Sequence, residues 1–159
     1  MSRNVEQSER EHMNYEEILY EVDDGIATVK FNRPQVMNAG TGLTYIELAD
    51  AFHTAADDAA VRVIVLTGEG RGFCAGDDVN QLFLATPDDS AEARQARLLA
   101  QLKDHASHRG NDLDTSILYC PKPTIAAVNG PAVGYGCDIA LMCDMRIASD
   151  KARMGEFYV

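Results

Sequence analysis

Along "ILYEVDDGIATVKFN" apolar and polar positions alternate, break at Asp23-Asp24-Gly25, and alternate again. Leu19, Tyr20 and Val22 precede the turn signal, and Ile26, Thr28 and Lys30 then alternate with Ala27, Val29 and Phe31. Successive side chains of a strand point to opposite faces, so this pattern predicts a β-hairpin. Asn32-Arg33-Pro34 ends it, because proline has no N–H to give to a ladder. From Thr41 to Ala56 the period changes: Tyr45, Leu48, Phe52 and Ala55 recur at three and four residues, the spacing of one helix face. The unbroken run Val63-Ile64-Val65-Leu66 then predicts a strand buried on both faces, as in a parallel sheet.

"GEGRGFCAGDDV" reads as a glycine-rich loop leading toward a short helix. Residues 88–109 are charged and helix-prone, with Leu98, Leu99 and Leu102 as a thin apolar stripe, and "SHRGND" breaks that helix. A short apolar segment, Leu113 to Tyr119, follows. "KPTIAAVNG" predicts another buried strand. A second glycine-rich turn then leads into an apolar helix starting near Tyr135, and "MRIAS" reads as a further short strand. Strands alternating with helices predict α/β organisation.

The chain's 159 residues suffice for one domain with a sizeable core. Residues 1–14 are polar and expected to be a disordered extension without a secretory signal, ahead of a core over 15–159. A formal net charge of −11 argues against nucleic acid or an anionic membrane as partner, since both call for a basic surface. A small phosphorylated ligand needs only a few local cations, for which Arg33 and Arg71 are candidates. No apolar run reaches membrane-spanning length. The four cysteines include no CxxC pair and the four histidines no zinc spacing. A reducing cytoplasm and no metal site are therefore the expectation.

The chemistry concentrates in the two glycine-rich turns. Each follows a predicted strand and leads into helix, where backbone N–H groups lack helical partners. Two such groups brought together form an oxyanion hole, here from the amides of Asp77 and Tyr135. Gly76, Gly134 and Gly136 would let a ligand approach the main chain closely. One such donor contributes about 3 kcal/mol of transition-state stabilisation. Such turns equally serve only to reverse the chain. Neither turn carries the Gly-Lys-Ser/Thr of a phosphate loop or a GxGxxG dinucleotide fingerprint.

"FNRPQVMNA", "VIVLTGEGRGFCAGDDV" and "KPTIAAVNGPAVGYGCDIALMCDMRIASDKARMG" together resemble the crotonase superfamily, the enoyl-CoA hydratase/isomerase group, from about Tyr15 onward. The resemblance implies an α/β fold, a spiral of β-β-α units, whose C-terminal helical part lies outside this chain. It implies an acyl-CoA thioester as substrate, no further cofactor, and a homotrimer or hexamer in a full-length relative. Carried over by position, the amides of Asp77 and Tyr135 hold the thioester oxygen and Asp138 is the acid or base. Met37, Asn38, Ala39, Gly76, Asp78 and Gly134 fall on substrate-binding positions. Two residues depart from the pattern of related hydratases: Asp138 and Tyr158 each stand where those carry Glu. A phenol with pKa near 10 is a poor base for activating water. Glu156 is a possible substitute for Tyr158. With one carboxylate kept and one lost, double-bond isomerisation is easier to support than hydration. Thioester hydrolysis, decarboxylation, dehalogenation, carbon–carbon cleavage and a non-catalytic acyl-CoA-binding role remain alternatives. His105 and His108 are candidate acyl-pocket contacts, Cys74 and Cys137 small buried residues, and Asp144 a structural acid.

Overall fold

The hairpin forms where the alternation places it. Strands β1 (Ile18–Asp23) and β2 (Ile26–Phe31) pair antiparallel, with Ile18 opposite Phe31 and Asp23 opposite Ile26. The computed structural model describes residues 15–79 and 113–156. Tyr158, His105, His108, the N-terminal extension and the expected helix over 88–109 lie outside those residues. On β2, Ala27, Val29 and Phe31 are buried on one face.

Helix α1 (Gly42–Asp57) begins at Thr41, whose hydroxyl accepts from Thr44 N at 3.2 Å while Thr41 N donates to Thr44 Oγ1 at 2.9 Å. This reciprocal cap satisfies two otherwise unpartnered donors and fixes where the helix starts. The predicted face is the buried one: Leu48, Phe52 and Ala55 enter the core. Strand β3 (Val63–Gly68) returns parallel to β2.

Helix α2 (Leu113–Leu118) accounts for the apolar segment at 113–119 and packs on α1, burying Leu113 and Ile117. Strand β4 (Thr124–Val128) pairs parallel to β3. Strand β5 (Pro131–Val133) leads into helix α3 (Tyr135–Met142). Strands β6 (Met145–Ala148) and β7 (Arg153–Gly155) complete the described chain. The main sheet runs β1-β2-β3-β4-β6, and β5 and β7 form a second, parallel sheet.

Two sequence expectations change. On β3, Ile64, Leu66 and Gly68 are buried but Val63, Val65 and Thr67 only half so, and β4 repeats this alternation. One face carries the core with Phe31 and Phe52, and the other is only partly covered. The second difference is β5, which the apolar pattern does not announce. Three residues are too few to show a period, and they open with a proline whose missing N–H is tolerated at a first strand position. Among the described residues β6 is an edge, with Met145 and Ile147 exposed, and Met154 on β7 is exposed as well. No described helix is long and apolar enough to cross a membrane. No described group of His, Cys, Asp or Glu is placed to hold a metal ion.

Candidate active site

The second sheet brings the two glycine-rich turns together. Cys74 forms a parallel bridge with Ala132 of β5, with Val133 N donating to Cys74 O at 2.9 Å and Cys74 N to Pro131 O at 3.1 Å. Asp77 and Tyr135 each lie three residues downstream of that bridge on segments running the same way. On its other side the loop pairs with Gly40: Gly40 N donates to Gly76 O and Asp78 N to Gly40 O, both at 2.8 Å. Those two bonds use the groups flanking Asp77, so the Asp77 N–H faces away from Gly40, toward the turn before α3. A Cβ on Gly76 would lie 3.6 Å from Tyr135 N and 2.8 Å from Val133 O.

Neither the Asp77 amide nor the Tyr135 amide donates to a backbone carbonyl of a described residue. Tyr135 is the first residue of α3, where helical partners are absent by construction. Cys137 N and Asp138 N both turn back to Gly134 O, at 2.7 and 3.1 Å. The helix's positive end thus points out of this turn. Gly134 N itself is taken by Gly155 O at 2.9 Å, which fastens the turn to β7.

Asp138 is half-buried in the first turn of α3, three residues after Tyr135 and on the same helix face. Its negative charge contributes to raising the Tyr135 phenol, after burial and the Asp114 carboxylate. Glu156 is exposed just past β7, with its carboxylate near enough to act on the Cys137 thiol. Burial first, and then Glu156, push that thiol up to about 11. Cys74 is pushed up to about 12 by burial. Both thiols are protonated near neutral pH and unsuited to nucleophilic work.

The other sequence candidates are largely committed to building the loops. Asn38 is 1% exposed; its Oδ1 accepts from Arg33 N at 2.9 Å and its Nδ2 donates to Glu69 O and Gly72 O at 3.0 and 2.9 Å. Met37 O accepts from Ala75 N at 3.1 Å, and Ala39 O accepts from Arg33 Nη1. Asp78 is buried with its carboxylate 3.0 Å from Arg33 Nη2. Arg33 also meets Glu17 at 3.3 Å, so its guanidinium is an internal tie. Arg71 remains exposed. Asp144 accepts from Thr124 N and Oγ1 at 2.8 and 3.0 Å and joins the end of α3 to the start of β4.

Two contributors are not legible in the sequence. Asn129 Nδ2 donates to Gly68 O, Gly70 O and Gly72 O at 2.9, 3.0 and 3.2 Å, so with Asn38 it clamps the loop after β3. Tyr45 follows the apolar period of α1, yet its hydroxyl reaches Asp77 Oδ1 at 2.7 Å. Only the composition of "VNGP" hints at the first, and no pattern marks the second.

The family model described as enoyl-CoA hydratase/isomerase matches residues 21–158. A curated relative from Rhodobacter capsulatus, named "Probable enoyl-CoA hydratase", is 39% identical over 140 residues, covering 88% of this chain and 49% of the relative. The crystal structure of an enoyl-CoA hydratase/isomerase from Xanthobacter autotrophicus is similar at 36% identity and a TM-score of 0.72, over 89% of this chain and 49% of that one. An enoyl-CoA hydratase/carnithine racemase from Magnetospirillum magneticum is similar at 32% identity and a TM-score of 0.70, with the same two coverages of 89% and 49%. The chain therefore spans about half the length of these relatives.

Proposed function

The chain belongs to the enoyl-CoA hydratase/isomerase family, and from that premise we propose that it carries the oxyanion half of an acyl-CoA site. The Asp77 and Tyr135 amides would receive the thioester oxygen as negative charge develops on it, and Asp138 would carry the proton. The observation that supports this most is the pairing of two adjacent turns, Gly76–Asp77 and Gly134–Tyr135, in which the Asp77 and Tyr135 amides are spent on no described backbone carbonyl. A preorganised donor acts where charge develops and costs no reorganisation at that moment, so two of them with a helix end suit an enolate.

Asp138 follows the second donor by less than one helical turn, as a proton carrier to the adjacent carbon requires. A single carboxylate that takes and returns a proton suits double-bond migration. Hydration needs a second group to activate water, and Glu156, exposed beside Cys137, is the described carboxylate nearest to that role.

The test is product analysis over a panel of enoyl-CoA thioesters in heavy-oxygen water. A shifted double bond without label is the expected product, label in the product would assign hydration or hydrolysis, and no turnover on any thioester would overturn the enzymatic reading. Asp138→Asn should lower kcat by at least about a hundredfold, within the range for loss of a general acid–base, with acyl-CoA binding retained by calorimetry. Retained turnover in that variant would remove Asp138 from the mechanism.

A further inference from the structure

The side chains of the two donor residues are joined through a third. Tyr45, in the first turn of α1, donates its hydroxyl to Asp77 Oδ1 at 2.7 Å. Its ring meets the Tyr135 ring edge-on, with centroids 5.0 Å apart and planes at 85°. Beneath it lies Gly40, where a Cβ would fall 2.5 Å from three atoms of the Tyr45 side chain. Gly40 is the residue whose two backbone bonds hold the main chain on either side of Asp77. At the far end, Tyr135 donates its own hydroxyl to Asp114 Oδ1 on α2 at 2.5 Å.

We propose that Tyr45 is a positioning residue that holds both oxyanion donors at one spacing, its hydroxyl fixing the Asp77 turn and its ring fixing the Tyr135 turn. The proposal rests on the acyl-CoA reading above and assigns a role within that same site. The series Asp77–Tyr45–Tyr135–Asp114 crosses four separate elements: the loop after β3, α1, α3 and α2. The two segments are joined by backbone bonds at Cys74 and Val133, and past that bridge the backbone bonds tie each turn to a different neighbour, Gly40 on one side and Gly155 on the other. Tyr45 is a side chain that contacts both donor residues. An edge-to-face pair favours one separation and one tilt, and a hydroxyl on a carboxylate favours one direction. Together they limit motion of one turn against the other. Burial, followed by the neighbouring carboxylate, raises both phenols, so each stays a donor at neutral pH.

The experiment records the amide resonances of Asp77 and Tyr135 as butyryl-CoA, a saturated thioester with no double bond to move, is added to the parent, Tyr45→Phe and Tyr45→Leu, beside kcat and KM on an enoyl-CoA. In the parent both amides shift. Tyr45→Phe keeps the ring and loses the hydroxyl, so the Tyr135 response persists while the Asp77 response falls. Tyr45→Leu loses both responses, and kcat drops by about a hundredfold, the cost of roughly 1 Å of misplacement, with KM little changed. A folded Tyr45→Leu protein that keeps both responses overturns the proposal. Should that variant fail to fold, Tyr45→Phe decides alone, and an unchanged Asp77 response overturns it. A parent in which neither amide responds overturns the acyl-CoA reading and this proposal with it, whereas a responsive parent beside a Tyr45→Phe protein that loses only the Asp77 response and a Tyr45→Leu protein that loses both supports both.

Discussion

At Gly136 the first turn of α3 presses on the loop after β3. A Cβ there would lie 2.3 Å from Cys74 O and 2.8 Å from Cys74 Cβ, and neither a carbonyl nor a backbone-proximal atom has room to yield. Gly136→Ala should therefore destabilise the fold by about 1–3 kcal/mol, the usual cost of overpacking. The reading is a lower urea midpoint at unchanged slope. Gly42, at the start of α1, has nothing within 4 Å of a Cβ, so Gly42→Ala should leave the midpoint unchanged or raise it. Both glycines are visible in the sequence, and the motif "GYGC" marks the first as part of a turn. Which of them faces a carbonyl is set by a contact across more than sixty residues, from Cys74 to Gly136, and no local pattern encodes that.

Between elements, the same kind of long-range pairing decides the site. Arg33, just past β2, reaches Glu17 before β1, Ala39 ahead of α1 and Asp78 in the loop after β3. In an acidic chain an arginine beside a loop invites assignment to a ligand phosphate, but here three internal acceptors occupy Arg33. Its side chain is 16% exposed and that of Asp78 7%, so little water replaces a lost partner. Arg33→Met should cost about 3 kcal/mol, mostly by leaving carboxylates buried without their counter-charge. Adding Asp78→Asn to it should cost less than the two single changes summed, with a coupling of at least about 1 kcal/mol in a double-mutant cycle. Additive effects would mean that the contact contributes nothing. The hairpin and α1 follow from period, and β3, β4, α3 and β6 from apolar runs beside turn signals, because each is long enough to show its pattern. Strand β5 is not, and its pairing with β7 and Cys74 appears only when the segments meet.

Across the whole molecule, buried thiols tie stability to alkaline pH. Burial pushes Cys74 and Cys143 from an ordinary 9.0 up to about 12. Above pH 9 the unfolded chain loses these protons while the folded chain keeps them, so it binds fewer protons than the native state. Stability is thus fully present below pH 9 and falls as pH rises toward 12. Urea midpoints across that window should decline, and Cys74→Ala should make the decline shallower; an unchanged slope would remove Cys74 as a cause. The sequence by itself determined the α/β alternation, the positions of the main strands and helices, and the family, because periodicity, turn chemistry and short motifs are local properties. It also singled out the Asp77 and Tyr135 amides as candidates, since strand-to-helix turns leave N–H groups without helical partners, while Asp138 entered through the family resemblance. Only the tertiary structure decided that the two turns lie side by side, that Arg33 and Asn38 are committed to holding loops, and that Tyr45 joins Asp77 to Tyr135. Those facts depend on parallel pairings between residues far apart in the chain, and such pairings are set by the packing of the elements together.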